Sequence, residues 1–202
     1  MKRTLYITDL DGTLLNEHSR VSERSSAILS DLVTRHNVLF SIATARTPAT
    51  AVELMSCVPT PIPLIVMAGA AMWDTARSQY VNSVPIPENV VQRVCAAYEA
   101  HGVHPFVYRN HGGVLHTYHH PEVHGEEKQF IDDRISTPYK RFIITSEPYT
   151  ASSDPTLLIF AMNRFELLEA VQRDIVAAHI PCHSVCYHDI FNHSNGILEV
   201  YA

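Results

Sequence analysis

The sequence is poor in the features that would send its function elsewhere. No apolar run reaches the roughly 18 residues of a membrane span. Positive charge is scarce: 15 Lys and Arg stand against 21 Asp and Glu, for a net charge of -6, the opposite of a nucleic-acid footprint. The four cysteines, Cys57, Cys95, Cys182 and Cys186, are scattered without a disulfide framework. The start, Met1-Lys2-Arg3, is basic, but the apolar stretch behind it carries Asp9 and Asp11, which a secretory signal would exclude. Reduced thiols in a cytoplasm are therefore the expected setting. Internal repeats and low-complexity tracts are also absent. What is present is 202 residues, 46% of them hydrophobic, enough for one large domain or two small ones.

The apolar runs fall into a regular order. Leu5-Tyr6-Ile7-Thr8 reads as a short buried strand. A helix follows from Ser22, a natural cap, with Ile28, Leu29, Leu32 and Val33 on one face. Val38 to Ala43 is a second strand, and Thr47-Pro48 opens a second helix with Pro at its first position. Leu64 to Met67 is a third strand. Strand, helix, strand, helix, strand predicts a parallel α/β sheet. A hairpin from Ala71-Met72-Trp73 to Tyr80-Val81 leads to Pro85 and Pro87, and a domain boundary is expected near residue 83. Beyond it the pattern predicts a helix after Pro87 ending at Gly102, a hairpin about Gly112-Gly113, and a polar helix within 121–135. Residues 136–155 are ambiguous, with Phe142-Ile143-Ile144 as apolar packing or a short strand. A strand at 157–162 is followed by a helix with a capping box at Asn163 and Glu166. Ile180 to Tyr187 and Gly196 to Val200 are further strands. The expected organisation is a core at 1–83, an inserted α+β domain at 84–190, and a strand returning to the core within 191–202.

The chemistry concentrates where the first strand ends. Asp9 and Asp11 are two residues apart, so on extended backbone they point the same way. One carboxylate can attack phosphorus and form an aspartyl-phosphate. The other can protonate a leaving oxygen and later activate water. The same oxygens suit a hard cation such as Mg2+, with a substrate phosphate completing its shell. Gly12 permits close backbone approach, and the N-H groups of Leu10 and Gly12 can cradle phosphate oxygens.

The string Asp-Leu-Asp-Gly-Thr-Leu at residues 9–14 resembles the first motif of the haloacid dehalogenase (HAD) superfamily. Thr44, 35 residues after Asp9, resembles the second motif, and Ala43-Thr44-Ala45-Arg46 is similar to the Ala-Thr-Gly-Arg string of the Cof-type branch, with Ala45 in the Gly place. Ala68-Gly69-Ala70 lies where that branch commonly has Asn-Gly-Ala, so Ala68 leaves out one polar contact. The resemblance implies a HAD-like parallel-sheet core with an inserted type-2 (C2) cap that chooses substrates. It implies a magnesium-dependent phosphatase of small phosphorylated metabolites, with sugar phosphates the first class to try. Asp9 becomes nucleophile and metal ligand. Asp11 becomes the general acid and base, its backbone carbonyl a second ligand. Thr13 steadies the loop, Thr44 holds phosphate, and Arg46 touches phosphate or pairs with an acid. Glu199 reads as structural.

The resemblance also implies a later Lys and a Gly-Asp-containing acidic motif, which would follow Leu198-Glu199-Val200, and the sequence ends at Ala202. A core incomplete at its C-terminus is therefore expected, with impaired turnover and an open first-strand edge through which copies self-associate. The alternative is a non-catalytic truncated HAD fold acting as a binding or oligomerising module. A metal-dependent glycosyltransferase using Asp-x-Asp is a weaker third reading. Nucleic acid and membrane are not expected partners. Thirteen histidines invite a zinc reading, but on a strand Cys182 and Cys186 would stand about 13 Å apart, too far for one tetrahedral ion. His119, His120 and His124 read as a polar loop.

Overall fold

The computed structural model describes residues 4–123, 125–147, 150–189 and 192–202, which divide into two units, Met1–Ser83 and Val84–Ala202. The first is α/β. Its elements are β1 (Leu5–Thr8), α1 (Glu23–Thr34), β2 (Leu39–Ile42), α2 (Pro48–Leu54), β3 (Leu64–Val66), β4 (Ala71–Asp74) and β5 (Gln79–Ser83). Ser22 caps α1, its side chain accepting from Ser25 N-H at 3.1 Å. Pro48 opens α2 as its spacing predicts, although Thr47 precedes it without a side-chain cap bond.

Strands β1 and β2 pair in parallel, from Leu5 opposite Leu39 to Thr8 opposite Ile42. A single parallel bridge, Ala43 with Ile65, links β2 to β3, which continues through β4 to β5 as an antiparallel ribbon. Phe40, Ile42, Leu64, Val66 and Trp73 form the buried centre, and Trp73 meets Tyr80 edge-on with ring centroids 4.9 Å apart. Against the expectation of a buried strand, Leu5, Tyr6 and Ile7 are 45%, 57% and 47% exposed, and among the described residues β1 pairs only with β2.

The second unit carries α3 (Glu88–Ala100), β6 (Phe106–His111), β7 (Val114–His119), α4 (Gly125–Asp132), β8 (Lys140–Ile144), β9 (Thr156–Arg164), α5 (Phe165–Ala177), β10 (His183–His188) and β11 (Asn195–Tyr201). Its six strands run in the order β10-β11-β9-β6-β7-β8, antiparallel except for the pair β7 and β8. The β6–β7 turn is Gly112-Gly113 with φ of +58° and +91°, the left-handed pair that a two-residue hairpin demands. Helices α3 and α5 cover one face, burying Val91, Val94, Tyr98, Leu168 and Ile175 against Ile159, Leu198 and Val200. Tyr98 keeps its hydroxyl satisfied inside this layer by donating to the Leu198 carbonyl at 3.0 Å. Among the described residues no helix is long and apolar enough to cross a membrane.

Further expectations need correction, among them that of His119 in a polar loop, since it ends β7 and is buried. The strand expected within 191–202 to return to the core lies instead in the second unit's sheet, between β10 and β9. It is paired on both edges there, and its Leu198 and Val200 are fully buried under α3 and α5, which satisfies both its backbone and its apolar face. The capping box at Asn163 and Glu166 does not form: β9 runs to Arg164, and Asn163 Oδ1 accepts from Arg164 N-H at 2.8 Å. The polar helix is shorter than 121–135, spanning 125–132, and the ambiguous segment after it holds β8. His124 lies outside the described residues.

Leu168 is fully buried between α5 and the sheet. Leu168→Ala is expected to cost about 2–5 kcal/mol of stability, read from urea unfolding followed by far-ultraviolet circular dichroism.

Candidate active site at the ends of β1 and β2

The candidate site lies within the first unit, where two adjacent parallel strands end together. Past β1 the ladder continues for one more bond, Ala43 N-H donating to the Thr8 carbonyl at 2.8 Å. The chain then turns through residues 10–14. Leu10 is fully buried and anchors the turn, and Leu15 N-H closes it on the Leu10 carbonyl at 2.9 Å. Asp11 is extended (φ -74°, ψ 125°), while Gly12 is left-handed at φ +72°, a conformation that would strain a residue with a Cβ. Thr13 Oγ1 lies 3.5 Å from Asp9 Oδ2, a long contact that leaves the Asp9 carboxylate lightly held.

Beyond β2, Thr44 is buried at 5% exposure, and its Oγ1 accepts from Arg46 N-H at 3.1 Å. Arg46 reaches across to the first loop. Its Nε donates to Asp11 Oδ2 at 2.8 Å and its Nη2 to Asp11 Oδ1 at 2.7 Å, a bidentate fork. These hydrogen bonds hold the Asp11 carboxyl below the usual carboxylate range against the opposing effect of burial, and they raise the Arg46 guanidinium in turn. With Asp11 53% and Arg46 32% exposed, solvent screens much of the attraction, so the pair orients more than it stabilises.

A third segment braces this corner. After β3, Met67 and Ala68 adopt φ of +53° and +52°, and Gly69 follows at +97°. Met67 N-H donates to the Arg46 carbonyl at 2.9 Å and Ala68 N-H to the Thr44 carbonyl at 3.0 Å. Two consecutive left-handed residues with side chains are costly, of the order of 1–2 kcal/mol each, and here they aim two N-H groups at the loop that holds Thr44 and Arg46. The sequence marks this segment only by Ala68-Gly69-Ala70. The backbone strain of Met67 has no sequence signal.

The structure thus brings Asp11 and Arg46 into contact, sets Asp9 and Thr13 on the same loop, and fixes Thr44 behind Arg46. Leu10 contributes backbone alone, since its side chain is buried. Asp9 and the Asp11 backbone carbonyl are hard oxygen donors of the kind Mg2+ takes. The Asp11 side chain is less suited to bind metal in this arrangement, because both its oxygens accept from Arg46. No group of three or more His, Cys, Asp or Glu side chains arranged to hold a metal occurs among the described residues, so a cation here needs backbone, water or substrate oxygens as well. The stretch around Cys182 and Cys186 belongs to β10 and the turn before it and gathers no such group either.

The model of the haloacid dehalogenase-like hydrolases matches residues 6–202. The chain belongs to that family. A haloacid dehalogenase-like hydrolase of Bacteroides thetaiotaomicron has the same fold at 15% identity and a TM-score of 0.73, over 99% of this chain and 71% of that one. A Thermotoga maritima protein is similar at 17% identity and a TM-score of 0.72, over 99% of this chain and 69% of that one. A HAD subclass IIB sugar phosphatase is similar at 18% identity and a TM-score of 0.66, over all of this chain and 70% of that one. No curated protein matches significantly. The HAD-like chain therefore has the Cof-type fold of HAD phosphatases and phosphotransferases.

Arg46→Ala is expected to raise the Asp11 carboxyl toward its ordinary value, as read by carboxyl-carbon NMR titration. The sign for stability follows from the depressed native value. The pair contributes fully above the unfolded carboxylate range near pH 4, loses its contribution as pH falls through the native value, and in the variant contributes nothing at any pH.

Proposed function

We propose that the chain is a cytoplasmic, Mg2+-dependent phosphatase of small phosphorylated metabolites, with sugar phosphates the first substrates to try. The observation that carries this reading is the strand-end cluster in which Asp11 of the Asp9–Thr13 loop meets Arg46, whose backbone N-H donates to Thr44. The similarity to a sugar phosphatase supports the substrate class. The second unit takes the part of the family's inserted cap, choosing among substrates.

In this reading Asp9 is the nucleophile. Its carboxylate oxygen attacks phosphorus, the bond to the leaving oxygen breaks, and an aspartyl-phosphate forms. Asp11 gives the proton that the leaving oxygen takes. In the second half Asp11 accepts a proton from water, the water oxygen attacks phosphorus, and Asp9 is regenerated with release of inorganic phosphate. Asp9 and the Asp11 backbone carbonyl would hold Mg2+, which when bound offsets the negative charge of carboxylate and phosphate. Thr44 uses Oγ1 as an acceptor toward Arg46 N-H, so its O-H remains able to donate to a phosphoryl oxygen. The backbone N-H groups of Leu10 and Gly12 serve the same phosphate.

The bidentate pair constrains this cycle. Asp11 held by Arg46 has no proton to give, because the fork favours its ionised form. The same fork weakens it as a base, because both carboxylate oxygens already accept from Arg46. Both steps require Arg46 to turn toward an incoming phosphate, which competes for the same guanidinium and frees Asp11 to carry a proton.

The same pair favours a second reading. If Arg46 never leaves Asp11, the fold is non-catalytic and acts as a binding or oligomerising module. The exposed Leu5, Tyr6 and Ile7 of β1 then offer a surface for self-association, which sedimentation of the purified chain would detect and Ile7→Lys would weaken. One assay separates the readings: hydrolysis of a generic aryl phosphate by the chain, with Mg2+ or with chelator, beside Asp9→Asn. The phosphatase reading expects Mg2+-dependent turnover that falls by roughly 10^4-fold or more in the variant. Turnover indistinguishable from Asp9→Asn, in folded protein, would overturn it.

A further inference from the structure

The second unit buries a cation that the proposed chemistry does not use. Lys140, at the start of β8, is 2% exposed. Its Nζ sits 4.5 Å from the ring centroid of Tyr108 on β6, 4.9 Å from that of Phe130 on α4 and 4.7 Å from that of Phe142 on β8. Among the described residues its one polar side-chain contact is the Tyr108 hydroxyl at 3.0 Å. Among the described residues no carboxylate pairs with it.

The charged and titratable groups around it come from several elements. Tyr108 lies on β6. His119 lies on β7, its ring near those of Phe106 and Phe142. Arg141 follows on β8 and donates from Nη1 to the Lys140 carbonyl at 2.8 Å. Arg134, in the turn after α4, stacks over Phe130 at 4.3 Å and opposes a positive charge on Lys140. Glu199 on β11 acts through space on Tyr108 rather than on the amine.

Ring faces attract an ammonium. Loss of water opposes it, and here burial prevails, pushing the Lys140 amine down to about 7. Nothing in the cage besides the rings and one hydroxyl compensates a full charge. The cage also has a weak wall. Helix α4 has eight residues, of which only Ile131 is buried, and a helix that short has little stability of its own. Removing it would give Nζ to water and leave the sheet itself intact.

We propose that Lys140 is a proton-controlled latch for α4: uptake of a proton by the caged amine drives the helix off the sheet and bares the aromatic face beneath it. The sign follows from linkage. A solvated Lys titrates near 10.4 and the caged one at about 7, so the open form holds one more proton between those values. Opening therefore grows about tenfold for each unit that pH falls through that window and levels off below about pH 7. The neighbours titrate elsewhere. His119 is pushed below its ordinary value and Tyr108 far above its own.

Amide hydrogen exchange of the full chain between pH 7 and 9, corrected for base-catalysed chemical exchange, tests the latch. Protection of the α4 amides relative to those of α3 should fall roughly fiftyfold from pH 9 to pH 7. It should be flat in Lys140→Met and unchanged in slope in His119→Gln. Equal slopes in α4 and α3 would mean that the proton drives unfolding of the whole unit, and would overturn the latch. So would a slope that persists in Lys140→Met. Should that variant fail to fold, NMR titration of the Lys140 ε-methylene in the unaltered chain decides: a midpoint near 7 supports the latch and one near 10 overturns it.

Discussion

The candidate site depends on one contact, the bidentate pair between Arg46 and Asp11. It joins loops that are 35 residues apart in sequence and become neighbours only because β1 and β2 pair in parallel and end together. Each support serves that contact. Leu10 buries the first loop's root, Gly12 gives it the turn, Thr44 fixes the Arg46 backbone, and the strained Met67-Ala68 segment ties down the carbonyls of Thr44 and Arg46. The pair is half in water, so its energetic contribution is small and its positional one large. A contact that orients firmly but binds modestly is one that a phosphate can take over.

Much of the fold is legible in the sequence because local chemistry and final structure agree. Ser22, Pro48 and Gly112-Gly113 do locally what their residue types suggest. The acidic loop, Thr44 and Arg46 stand out by motif and spacing, and the structure brings Asp11 and Arg46 into contact. What was not readable depends on long-range pairing. Strand β11 has an apolar pattern that would suit either sheet, and only pairing with β9 and β10 decides between them. Segment 136–155 is ambiguous because β8 is short and parallel to β7, a pairing with no hairpin turn to announce it. Which partner Arg46 chooses, acid or phosphate, is likewise a matter of geometry rather than residue type.

The two units solve burial differently. In the second, helices α3 and α5 seal one face of a six-stranded sheet with aliphatic side chains and a single satisfied hydroxyl. The other face is sealed near β7 and β8 by one short helix over aromatic rings and an amine. It encloses an amine that burial pushes down to about 7. In the first unit the side chains of Leu5, Tyr6 and Ile7 on β1 remain exposed.

The most direct test of the central claim, that one anion site is shared between Asp9, Thr44 and an Arg46 that moves, is a crystal structure of the chain with Mg2+ and beryllofluoride, a mimic of a phosphoryl group on a carboxylate. The expected result is the adduct on an Asp9 oxygen, Thr44 donating to a fluoride, and Arg46 turned from Asp11 toward the adduct. A structure soaked to saturation in which Asp9 stays bare and Arg46 keeps both bonds to Asp11 would contradict it.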